Sequence, residues 1–287
     1  MDLSLFNPAA FALGGVVGLI LALTGAGGGI LAVPLLVFGL HLSIMQAAPV
    51  GLMAVGTASA LGAALGLKEG LVRYRAAALI GGTGMLLAPL GVQLARGVPN
   101  APLTIAFALV LAWVAWRMFG QVRRNACAPT VGAAAAMGQW PCVLNPEQGR
   151  LIWTLPCAWA LAVTGAVSGL LSGLLGVGGG FVIVPALGRY TNLATRSILA
   201  TSLAVIALVS VGGVSAAAWQ GSIAWHIAAP FALGAVAALL AGRRMAARWA
   251  GARLQLAFAV TSAGVALLLL VRGVLGLAGG LGLGLAA

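Results

Sequence analysis

Acidic residues are nearly missing: Asp2, Glu69 and Glu147 are the only three in 287 residues, and Lys68 is the only lysine. Charged residues of both signs make up 6% of the chain against 62% apolar, with a mean hydropathy of +1.13. So few charges cannot solubilise so much apolar surface, which excludes a water-soluble enzyme, a secreted disulfide scaffold and a disordered chain. Carboxylates are too scarce for a buried proton relay. The three cysteines, Cys127, Cys142 and Cys157, have no His or carboxylate at metal-ligand spacing, so free thiols are expected and zinc is not. The N-terminus has no basic stretch before its apolar run, and no cleaved signal is expected.

What is present is apolar, basic and rich in glycine. Apolar runs of helix length, rather than short alternating ones, select a polytopic helical bundle over a β-barrel. The net charge of +12 comes from arginines scattered between apolar spans, without a basic stripe interleaved with aromatics. These residues orient the chain in a lipid bilayer, and nucleic acid is not an expected partner.

The chain repeats itself. A shift of 151 residues lays Gly25-Ala-Gly27-Gly28-Gly29-Ile-Leu-Ala-Val-Pro34 over Gly176-Val-Gly178-Gly179-Gly180-Phe-Val-Ile-Val-Pro185. The register then runs without a gap, so that about 29 of about 102 columns from Gly14 to Ala115 are identical. Residues 9–120 form a first transmembrane repeat, 121–153 a cytoplasmic linker, 154–272 a second repeat and 273–287 an apolar tail. Each repeat has an apolar stretch broken by glycines (9–40 and 154–190), then three spans: 45–67, 76–95 and 102–119 in the first, 196–218, 226–242 and 254–271 in the second.

Arginine and lysine collect in different loops of the two repeats. In the first they follow the second element (Lys68, Arg73, Arg75) and the last (Arg117, Arg123, Arg124). In the second they stand one loop earlier (Arg189, Arg196) and between the last two spans (Arg243, Arg244, Arg248, Arg253). Opposite charge phase in homologous repeats is the signature of inverted topology. Inversion requires an odd number of crossings per repeat, so each broken stretch is a hairpin, either two short crossings or a re-entrant pair. The expected fold is an all-α membrane protein of two inverted repeats with about ten segments, or eight if each hairpin is a single span. Both termini lie outside, and Arg96 and Arg272 are exceptions to the charge rule.

The glycine clusters lack the Gly-Lys-Ser/Thr of a phosphate loop and the third glycine of a dinucleotide fingerprint, so no cofactor is implied. A break inside an apolar segment frees backbone N–H groups and must be buried in protein or line a cavity. The helix that restarts beyond it favours an anion at its N-terminus. Gly25, Gly27, Gly28 and Gly29, with Gly176, Gly178, Gly179 and Gly180, are therefore candidate substrate-binding residues. Clustered glycines also serve close helix packing, as expected of Gly165-x-x-x-Gly169-x-x-x-Gly173. Hydroxyls can donate to an oxyanion without burial of charge. Candidates are Thr57 and Ser59 in the first repeat and Ser197, Thr201, Ser202 and Ser210 in the second, although back-bonding within a helix is their commoner use.

The duplicated GxGGGxxxxP segments, the Ala200-Thr201-Ser202-Leu203 run and the Gly221-Ser222-Ile223-Ala224-Trp225 turn resemble the sulfite exporter family of membrane transporters (TauE/SafE-like). The resemblance implies passage of a small sulfur-containing anion, sulfite or an organosulfonate, across a bacterial inner membrane, and no enzyme activity. The first repeat departs from it in having Val50-Gly51 where the second has Thr201-Ser202. Alternatives are a non-transporting membrane partner subunit, or a thiol-based sulfur-transfer protein using Cys142 or Cys157. Oligomeric state is open, with a homo-oligomer allowed.

Overall fold

A computed structural model describes residues 7–25, 28–127, 142, 144–145, 150–151, 154–191, 193–249 and 260–273. Most of the linker, Gly27, residues 250–259 at the start of the last span and the tail beyond 273 lie outside the described residues.

The elements are helical: α1 (Pro8–Thr24), α2 (Gly28–Gly39), α3 (Ile44–Lys68), α4 (Tyr74–Gly97), α5 (Asn100–Cys127), α6 (Leu155–Leu175), α7 (Gly180–Tyr190), α8 (Thr195–Trp219), α9 (Trp225–Trp249) and α10 (Val260–Gly273). Six of them, α3, α4, α5, α6, α8 and α9, are long and apolar enough to cross a membrane. Among the described residues the only strands are a two-residue ladder, Leu144–Asn145 against Arg150–Leu151.

The ends of these helices follow from the local sequence. The Asn7 side chain caps α1 by accepting from Ala9 and Ala10 N–H (3.1 and 3.3 Å), with Pro8 in the first turn, where no N–H is needed. Thr154 caps α6 in the same way, accepting from Cys157 N–H at 3.3 Å. Both helices stop at a glycine with φ +72°, Gly25 and Gly176, whose N–H bonds back to Leu21 and Ser172 carbonyls at 2.8 Å. Only glycine adopts that backbone without strain. Ser43 and Gln46 close a reciprocal capping box at the start of α3.

The packing follows the 151-residue offset. α3 and α8, both of 25 residues at that offset, cross antiparallel: Leu52 meets Gly213, Gly56 meets Ser210, Gly62 meets Leu203 and Gly66 meets Ala200. α6 lies parallel to α4 through the glycine stripe, with Gly165 on Ile80, Gly169 on Gly84 and Gly173 on Ala88. The equivalent pair, α1 and α9, repeats this with Gly14 on Phe231 and Gly18 on Ala235. In each case the absent side chain lets one backbone rest on the carbonyl of the other, the close approach expected of small residues in membrane helices. Ala54, Ala58, Val205 and Val209 are wholly buried between these helices.

The bundle has two unlike ends. One carries the starts of α3 and α9, the ends of α4 and α8, and the basic residues Arg96 and Arg272; the Arg272 guanidinium lies 5.5 Å from the Phe38 ring. The other carries Lys68, Arg73, Arg75, Arg189, Arg196 and Arg243 at the opposite ends of the same helices. We call the second the basic end.

The expectation of free thiols is overturned at two of the three cysteines. Cys142 and Cys157 form a disulfide, with Cα atoms 5.2 Å apart. The Cys142 N–H donates to the Tyr190 carbonyl at 3.1 Å, so Cys142 meets the end of α7 through this bond and the first turn of α6 through Cys157. That pairing depends on the end of α7, so the spacing of the cysteines in sequence does not reveal it.

Candidate functional site

The two glycine breaks meet. Gly29 stands so close to the Val177 carbonyl oxygen that a Cβ there would collide with it, and a Cβ on Gly178 would lie 3.0 Å from the Ile206 side chain. Val55 reaches both breaks, 3.3 Å from the position of a Cβ on Gly29 and 3.2 Å from one on Gly178. Val55 and Ile206 are equivalent residues near the middle of the two crossing helices, so the breaks converge at mid-depth. α2 and α7 restart there. The Gly180 and Phe181 N–H groups at the head of α7 have no preceding helical carbonyl to bond. Gly179, at φ +69°, turns the chain into α7, and a Cβ on it would clash with Ser168, whose hydroxyl donates to the Gly179 carbonyl at 3.3 Å.

The candidate hydroxyls separate into two groups. Thr57 is exposed and donates to Met53 and Ala54 carbonyls of its own helix (2.9 and 3.0 Å), and Ser202 donates to Leu199 (2.8 Å). Ser197 donates to the Leu71 carbonyl at 2.5 Å, and Thr201 accepts from the Arg73 N–H at 3.1 Å. These last two share one helix face, as their spacing predicts, and what they hold is the α3–α4 loop at the basic end.

Ser59 and Ser210 behave differently. Both are buried, at 0% and 2% exposure, and neither hydroxyl oxygen has a hydrogen-bond partner among the described residues. Thr83, Thr104, Thr164 and Ser215 each return a bond to their own helix, the common use of such a hydroxyl, which Ser59 and Ser210 do not make. The two serines are one identical column of the repeat and flank the α3–α8 crossing, one turn from Val55 and Ile206. The gapless register pairs them, whereas taken singly each is one of six candidate hydroxyls. Ser172 on α6 and Ser262 on α10 are two further buried hydroxyls without a partner among the described residues.

Access to the crossing differs at the two ends. From the end away from the basic one, a cavity of about 40 Å³ runs inward from Arg96 past Ala48 and Leu52 to Gly176 and Gly213. It has room for a water molecule or two but not for a passing oxyanion. The equivalent route at the basic end is filled: Leu199 lies against Gly25, Leu203 against Gly62 and Ala200 against Gly66. Arg243 closes it, donating to the Gly62 carbonyl (3.0 Å) and to Glu69 (2.8 Å).

The family model described as Sulfite exporter TauE/SafE matches residues 10–269. A protein of Xylella fastidiosa (strain 9a5c) named "Probable membrane transporter protein" is 29% identical over 242 residues, covering 84% of this chain and 85% of its own. A second of the same name, from strain Temecula1, is 29% identical over 228 residues and 78% of each chain. No solved structure matches significantly.

Proposed function

The chain belongs to the sulfite exporter TauE/SafE family of membrane transporters, and from that premise we propose that it passes a small sulfur-containing oxyanion, sulfite or an organosulfonate, through a site where its two glycine breaks meet. The observation that carries this reading is the convergence of Gly29, Val177 and Gly178 on Val55 at mid-depth in the bundle. Two helices restart there, and their N-terminal N–H groups and dipoles favour negative charge with no buried cation. The unbonded hydroxyls of Ser59 and Ser210 supply two further donors within a turn of the crossing.

The repeats are inverted in this reading, which the antiparallel crossing of the equivalent helices α3 and α8 supports. The basic end faces the cytoplasm by the positive-inside rule, and the membrane is the bacterial inner membrane. The described state is then closed at the cytoplasmic end by Arg243 and Glu69 and narrowly open outside, beside Arg96. Rocking of one repeat against the other exchanges the open end. An inside-negative potential drives an anion outward with about 2.3 kcal/mol per charge per 100 mV. Exit therefore requires no carboxylate relay, in keeping with the three acidic residues of the chain. The thiol-based alternative loses support because Cys142 and Cys157, the thiols it would use, are both wholly buried.

The test is counterflow in proteoliposomes loaded with unlabelled anion and diluted into a labelled one. Labelled sulfite or sulfoacetate should accumulate transiently, and chloride should not compete. Equal exchange of every anion offered, or none, would overturn the assignment.

A further inference from the structure

A second hollow in the bundle lies off the proposed pathway. It is a groove of about 430 Å³ bounded by α5, α6 and α7, on the flank of the bundle toward the basic end. Arg117, Arg189, Tyr190 and Trp159 line one end of it, and Val167 and Val182 the other. The groove follows nine residues of α6, Trp159 to Val167, and nine of α7, Tyr190 to Val182, so its polar and apolar ends are about 12 Å apart. The Arg117 guanidinium lies over the Trp113 ring at 5.4 Å, a contact that holds the cation in place without neutralising it. Neither Arg117 nor Arg189 is engaged by a carboxylate among the described residues, where Glu69 is already bonded to Arg243.

We propose that this groove binds an anionic phospholipid of the cytoplasmic leaflet, with its phosphate between Arg117 and Arg189 and an acyl chain along the valines. Three features select that occupant. Two guanidinium groups with no carboxylate partner among the described residues call for negative charge at one end, and arginine matches a phosphate bidentately. The wall below them is hydrocarbon, which a soluble oxyanion has no use for and an acyl chain does. Trp113, Trp159 and Tyr190 are the amphipathic rings that settle at headgroup level. Basic pockets between membrane helices on the cytoplasmic side recognise lipid headgroups in this manner. The Cys142 N–H, which donates to the Tyr190 carbonyl at 3.1 Å, ties down the rim where the headgroup would sit.

The test is native mass spectrometry of the full chain released from nanodiscs containing equal amounts of phosphatidylglycerol and phosphatidylcholine. The wild type should retain phosphatidylglycerol with a preference of about thirtyfold, about fivefold for each arginine. The double variant Arg117→Gln, Arg189→Gln should lose the preference, and Arg117→Lys, Arg189→Lys should keep most of it. A wild type that retains both lipids equally, or a Gln variant with unchanged preference, overturns the proposal. Inorganic phosphate that displaces the lipid at millimolar concentration also overturns it, in favour of a soluble-anion site. If the Gln variant does not fold, photo-crosslinking of wild type with a diazirine-tailed phosphatidylglycerol decides: label on 159–167 and 182–190 supports the groove, and label spread evenly over the lipid-facing helices refutes it.

Discussion

Gly169→Ala tests the packing on which the site depends. Gly169 rests on α4 with so little space that an added Cβ would fall 2.5 Å from the Gly84 Cα and 2.7 Å from its carbonyl carbon, where ordinary contact begins at 3.4 Å. Backbone atoms cannot step aside as a flexible side chain can, so α6 must move off α4 by about 1 Å. Overpacking of this kind costs about 1–3 kcal/mol. For a domain of this size each kcal/mol is worth roughly 2–4 °C, so the midpoint of thermal unfolding in nanodiscs should fall by roughly 2–12 °C. The equivalent contact is Gly18 on Ala235, with an added Cβ 2.6 Å from the carbonyl carbon, so Gly18→Ala should cost a similar amount. Gly82→Ala is the control: nothing lies within 4 Å of its Cβ position, and in a helix the change should be neutral or stabilising. A Gly169→Ala protein as stable as wild type, or one destabilised no more than Gly82→Ala, would refute the packing. Unequal losses at Gly18 and Gly169 would refute the equivalence of the two halves.

Three further outcomes are expected. Ser59→Ala with Ser210→Ala breaks no hydrogen bond among the described residues and removes two buried unpaired hydroxyls, so stability should hold or rise while transport falls; a loss of stability would show that the hydroxyls serve the fold. Glu69→Gln removes an exposed ion pair worth about 0.2–1 kcal/mol, so alkylation of a Val72→Cys probe at the basic end should speed up by at most about fivefold, and an unchanged rate would remove Arg243 and Glu69 from the closure. The basic end is assigned to the cytoplasm, which keeps thiols reduced. A maleimide added to acid-quenched cells unfolded in denaturant, which exposes both buried side chains, should therefore label Cys142 and Cys157, while the aerobically purified protein should carry them joined. Resistance of both to the reagent in the quenched cells would reverse the orientation.

Much of this fold is legible in the sequence because lipid leaves the chain few options. Length and apolar composition alone give the spans: residues 45–67 and 196–218 are expected, and Ile44–Lys68 and Thr195–Trp219 are found. The glycine stripe at 165, 169 and 173 announces close packing by its spacing, but its partner, α4, is a matter of tertiary structure. Hydroxyl function was the least legible. Ser197 and Thr201 share a face because helical geometry says so, yet they hold a loop 126–128 residues away in sequence. Ser59 and Ser210 stand out only when the repeat register and the missing hydrogen bonds are taken together. The disulfide depends on where α7 ends, which no local pattern encodes.

The central claim is that an anion crosses where the two breaks meet, and charge movement in reconstituted proteoliposomes tests it most directly. Saturable current with sulfite or an organosulfonate is expected from the wild type and from Gly82→Leu. Ser59→Ala with Ser210→Ala, which displaces no backbone, should lower it with stability unchanged, and Gly28→Leu and Gly179→Leu, where a Cβ meets backbone atoms at 2.7–2.8 Å, should each abolish it at some cost in stability. Full current from either of these two variants would contradict the account and leave the glycine breaks as packing alone.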